Sequence, residues 1–145
     1  MKKVFYCFLF AVSVLLISCT SDKQSSQTPI NEIPEFGHVK KSKEQLEADQ
    51  EFLDYFKGNE EQGYIDCIEN GWYYLEAGDP HTAMKRFNQA WLLDSSRFEV
   101  YWSFGAAEYV LGNTESAKKY YKKAIKLCED AEIREYLEQD YSQLK

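Results

Sequence analysis

The feature that most constrains this chain is an internal repeat. Displacing the 145-residue sequence by 34 positions aligns Gly71 with Gly105, Gly78 with Gly112, Ala83 with Ala117, Phe87 with Tyr121, Ala90 with Ala124 and Leu93 with Leu127. A matched period of this length means that one small supersecondary unit is built twice and stacked on its copy. The signals inside the period are helical. Gly78-Asp79-Pro80 joins a glycine helix stop to an Asp N-cap and a first-position Pro, and Gly112-Asn113 repeats the stop and the cap. Ser42 with Gln45, Asn59 with Gln62, and Ser96 with Glu99 have the spacing of capping boxes.

Composition agrees with helices. The chain is 44 % hydrophobic and 16 % aromatic, enough for a core, and its seven Gly and three Pro are too few for a turn-rich β architecture. The expected fold is all-α, with six helices in three antiparallel pairs over residues 42–145. Within it the repeats run over about 64–97 and 98–131. The flanking helices are 42–57, with Leu46, Phe52, Leu53 and Phe56 on one stripe, and 130–144, with Ile133, Tyr136, Leu137, Tyr141 and Leu144. They close the ends that two repeats alone would leave bare.

A small residue midway in the first helix, then Ala, an aromatic and Ala at spacings of four and three in the second, resembles the tetratricopeptide repeat. The matching positions are Gly71, Tyr74, Ala83, Phe87 and Ala90 in one copy, and Phe104, Gly105, Ala117, Tyr121 and Ala124 in the other. Cys67 and Tyr101 stand where the family has Trp, Asn70 where it has Leu and Glu108 where it has Tyr, and neither copy ends in Pro. The resemblance implies a short right-handed superhelix whose first helices line a groove for a segment of a partner protein. Ile68, Trp72, Glu76, Glu99, Trp102 and Tyr109, with Ile65, Glu69 and Ala106, are the matching groove positions. Two Trp and a Tyr edged by carboxylates suit an apolar or basic peptide, because aromatic anchors dominate binding surfaces.

The N-terminus sets the compartment. Lys2 and Lys3 precede an uncharged, mostly apolar run from Val4 to Ser18, which reads as an export signal too short for a membrane span. Leu16-Ile17-Ser18-Cys19 resembles the lipobox of bacterial lipoproteins, which implies a signal peptide over 1–18 and a lipidated Cys19 as the mature N-terminus. Thr20, where Asp would favour retention in the inner membrane, points to the outer membrane of the cell envelope. Residues 19–41 are polar with scattered apolar side chains and read as a flexible tether, in which His38 has no evident role. Cys67 and Cys128 remain in the folded part, and the repeat geometry puts them too far apart to bridge.

Removing Lys2 and Lys3 leaves 15 basic against 24 acidic residues, a net charge of −9. So acidic a chain is a poor partner for nucleic acid. Five lysines, Lys118, Lys119, Lys122, Lys123 and Lys126, gather on one helix as a solvated cationic face open to anionic lipid or an acidic partner. No phosphate-binding glycine loop, His-Glu-x-x-His, Cys-x-x-Cys or nucleophile elbow occurs, and His81 reads as an exposed first-turn residue. The expectation is therefore a membrane-anchored adaptor or scaffold that binds a protein partner, uses no cofactor or metal and catalyses nothing. The rival expectation is a permanent structural subunit of an envelope complex.

Overall fold

The computed structural model describes residues 28–145. Cys19, the expected export signal and the first part of the expected tether lie outside the described residues. The six helices are α1 (Lys43–Tyr55), α2 (Glu60–Glu76), α3 (Pro80–Leu93), α4 (Phe98–Val110), α5 (Thr114–Leu127) and α6 (Ala131–Gln143). The fold is all-α, as the repeat requires. Hairpins α2/α3 and α4/α5 turn through Gly78 and Gly112, whose φ values of 81° and 82° are open to glycine and strained for other residues. The second hairpin leans on the first through α3 and α4, with α2 also touching α4. The outer helices do not form a third hairpin: α1 rests on α3 and α6 on α5.

The repeated glycines set the distance inside each hairpin. A Cβ on Gly71 would come within 2.1 Å of the Phe87 ring, and one on Gly105 within 2.5 Å of the Tyr121 ring. Each glycine thus lets an aromatic of the second helix lie against the backbone of the first. Ala83, Phe87, Ala90, Phe104, Ala107 and Ala124 are all fully buried between the helices. Leu137 of α6 joins this core, while Leu144 and the half-buried Tyr141 cover Ala117 and Tyr121. Ile133 and Tyr136, expected on the same stripe, face outward. No residue of α1 is fully buried; Leu46 is exposed, and the helix is fixed by Phe52 against the core and by Phe56 against Gly63.

The caps are mixed. Ser42 and Gln45 form both bonds of a capping box, and Asp79 and Asp130 cap Thr82 and Ile133. Asn59 makes no side-chain cap, and Glu60 instead accepts from the Gly58 N–H. Ser96 is not a cap either: α4 starts at Phe98, and the Ser96 hydroxyl is held by Asp94. Cys67 and Cys128 are buried and unbridged, and burial pushes the Cys67 thiol up to about 11. Among the described residues no helix is long and apolar enough to cross a membrane.

Residues 30–38 correct the expected tether. They form two short turns, Ile30–Glu32 and Pro34–His38, that pack on α3, and they reach α5 through Glu35. The second turn is left-handed, with φ of 53° at Glu35, Phe36 and His38 and 63° at Gly37. Left-handed backbone costs roughly 1–2 kcal/mol at each non-glycine residue. Burial of Pro34 and Phe36, with the buried Glu35 paired to Lys123, offsets that cost.

Candidate functional site

Two surfaces invite function, and they lie on different helices. On α2 and α4, Trp72 and Trp102 meet with ring centroids 5.3 Å apart, and Trp72 also touches the Phe87 ring edge-on at 6.1 Å. Both tryptophans are half-buried, so each is part core and part surface. Ile68 is half-buried beside the core, whereas Glu69 and Glu76 are exposed. The structure therefore brings Ile68, Trp72 and Trp102 together as one aromatic surface with carboxylates at its edge.

Glu99 and Tyr109 depart from the expected groove. Arg97 donates to Glu61 at 2.8 Å and to Glu99 at 3.1 Å while lying 4.1 Å above the Tyr64 ring, so Glu99 is already paired. Tyr109 is exposed near the end of α4 and lines a separate cavity of about 260 Å³ with Tyr121, Asp140, Gln143 and Leu144. The C-terminal end of the chain also packs Tyr141 and Leu144 near Trp102, whose indole Nε1 is buried with no hydrogen-bond partner among the described residues. The second half of the groove is thus partly roofed, and the open aromatic surface is centred on Trp72. Comparisons with protein-family models, curated proteins and solved structures found no match.

The second surface was not anticipated from the sequence. Asn88, fully buried on α3, donates from Nδ2 to the Asn31 carbonyl at 3.0 Å and to the Ile33 carbonyl at 2.8 Å, and its Oδ1 accepts from the Phe36 N–H at 3.4 Å. One amide thereby takes the place of a strand neighbour for the N-terminal segment. Phe36 packs edge-on against Trp91 at 6.3 Å, with the Lys41 ammonium 3.1 Å above its ring. The buried Glu35 pairs with His38 and, at 2.6 Å, with Lys123 of α5. Burial opposes the charge of Lys123, but its hydrogen bonds to Glu35 and Tyr101 outweigh this and raise its pKa. Cavities of about 320, 570 and 410 Å³ flank the segment on its two sides.

Glu32 fastens the outer end, 2.9 Å from both Lys85 and His81. The Lys85 hydrogen bond, aided by His81, holds the Glu32 carboxyl below its ordinary pKa of 4.5. A depressed carboxylate contributes stability that is complete above the unfolded value and is lost as pH falls through the folded one. Acidification below about pH 4.5 is therefore expected to loosen residues 29–39 through this group, and Glu32→Gln to remove that part of the pH dependence. Amide resonances of Asn31 to Gly37 followed from pH 6 to pH 3 report it; an unchanged pH profile in Glu32→Gln would remove Glu32 as a cause.

Proposed function

We propose that this protein is a membrane-anchored interaction module of the bacterial cell envelope, tethered through a lipidated Cys19 in the outer membrane, that binds a partner protein and performs no catalysis. The observation that carries the binding reading is the Trp72–Trp102 aromatic surface with Ile68 beside it and the exposed Glu69 and Glu76 at its edge. Half-buried aromatics flanked by exposed carboxylates favour an apolar segment bearing Lys or Arg. The lipobox-like Leu16-Ile17-Ser18-Cys19 carries the anchoring part of the reading, and the resemblance to the tetratricopeptide repeat supports a peptide-binding role.

The test is affinity capture from solubilised envelope, using the native protein beside a Glu69→Lys, Glu76→Lys variant. Both glutamates are exposed, so the fold should survive and circular dichroism should not change. A partner held by the native chain and lost at least tenfold in the variant supports a partner on this surface. Capture that is equal in both moves the interface elsewhere, to the outward Ile133 and Tyr136 of α6, as a permanent structural subunit would have it.

A further inference from the structure

The five lysines of α5 have a place that the adaptor reading leaves unused. At about 100° per residue, positions 118, 119, 122, 123 and 126 fall within an arc of about 140°, opposite the buried Ala117, Tyr120, Tyr121 and Ala124. The helix carries one carboxylate, Glu115, which pairs with Lys118 at 3.3 Å. Lys123 is taken by Glu35. Lys119, Lys122 and Lys126 are exposed, and among the described residues no acidic group lies within ion-pair distance of them. Lys119 and Lys122 keep only cation–π contacts, over Tyr120 at 5.0 Å and Tyr141 at 5.6 Å.

The position of the N-terminal segment gives this face a direction. Its Glu35 pairs with Lys123 of α5, and Thr28, where the described chain begins, lines the same cavity as Lys119. Only eight residues, Thr20 to Gln27, separate Thr28 from Cys19. The nine Cα steps from Cys19 to Thr28 span at most about 31 Å. A lipid on Cys19 would hold the Lys119 end of α5 close to the headgroups.

We infer that the Lys119, Lys122 and Lys126 face of α5 docks on the anionic phospholipid headgroups of the membrane that anchors the chain. The direction rests on the anchoring reading above; the charge pattern does not. Helices α1, α2, α4 and α6 are acidic, but charges more than a Debye length of about 10 Å from the contact are screened, so the local lysines prevail. Each lysine at an anionic surface favours the contact about fivefold. Docked in this way, the face also sets which side of the domain is turned from the membrane.

Lysine-acetylation footprinting tests this with the full protein, purified from envelope and reconstituted in vesicles of phosphatidylcholine alone or with 30 % phosphatidylglycerol. The expected result is a fall of about fivefold or more in labelling of Lys119, Lys122 and Lys126 on the anionic vesicles, reversed by 0.5 M salt, with Lys43 and Lys57 of the N-terminal flank unchanged. In a Lys119→Glu, Lys122→Glu variant, protection of Lys126 should disappear. Equal labelling on both vesicles overturns the inference, as does protection independent of lipid charge, the pattern expected of an acidic protein or a second copy. The mass of the N-terminal peptide reports lipidation separately. A lipidated chain with equal labelling would sink the docking face alone, and an unlipidated chain still protected by anionic lipid would sink only the anchor.

Discussion

Replacing Gly71 by alanine is expected to lower the thermal midpoint by about 10–20 °C, corresponding to roughly 2–3 kcal/mol of overpacking in a domain of this size. Alanine is the better helix former by about 1 kcal/mol, so propensity alone predicts the opposite sign. The clash decides the outcome. The added methyl would fall 2.1, 2.4 and 2.9 Å from three atoms of the Phe87 ring, and that ring is fully buried with Trp72 at its edge. Gly105→Ala should cost less, because Tyr121 lies closer to the surface and its ring can swing, although the Ala117 carbonyl at 3.3 Å remains. A double-mutant cycle with Phe87→Leu makes the cause testable, since a smaller side chain gives the methyl room. The pair should be more stable than the sum of the singles by about 1–2 kcal/mol. Additive losses would mean that the glycine matters for some other reason than this contact.

The second large effect is expected at Asn88. Asn88→Asp keeps the shape but replaces an amide donor to two carbonyls, Asn31 and Ile33, with a carboxylate oxygen facing them. A buried group left unpaired costs about 1–3 kcal/mol, more when charged, and the loss falls on a turn whose left-handed residues already cost roughly 1–2 kcal/mol each. The N-terminal segment should therefore leave α3 while the two hairpins stay folded. Trypsin cleavage after Lys40 and Lys41 should accelerate about a hundredfold, with helicity by circular dichroism nearly unchanged. Unaltered cleavage would show that burial of Phe36 holds the segment without the amide. Global unfolding would show that the segment is part of the core.

Much of this fold was legible in the sequence because a repeat is written twice. Gly71 and Gly105, Phe87 and Tyr121, and the turns at Gly78 and Gly112 are each supported by their counterpart, and tight packing leaves few alternatives at such positions. The outer helices were legible as helices but not in their depth. Leu137 is fully buried and Tyr136 beside it is mostly exposed, which depends on where α6 meets α5 and not on hydrophobicity. Of the expected groove, Trp72, Trp102 and Ile68 come together. Glu99 does not join them because Arg97 lies close enough to claim it.

The N-terminal segment was misread because its stabilising partners are distant in sequence. Phe36 and Asn88 are 52 positions apart, and Glu35 and Lys123 are 88 apart. Judged locally, Pro29 to Lys41 is polar, broken by prolines and without a helical stripe. One signal was available: Asn88 is a polar residue among Met84, Phe87 and Trp91 on the inner side of a helix. An amide there needs partners from outside the helix, and Ile30, Ile33 and Phe36, three residues apart, were the unclaimed apolar groups able to bring them.

The attachment of residues 29–39 also determines how the domain bears load. Tension arriving along the chain from its N-terminal side meets Thr28 first, then the Glu32, Asn88 and Glu35 contacts in turn, before it reaches α1. These contacts lie ahead of the two hairpins on the path of such a pull. Release as far as Lys41 adds about 14 residues of slack, close to 45 Å when drawn out. The segment is thus a reserve of length placed in series with the repeats, ahead of them on the chain's N-terminal side.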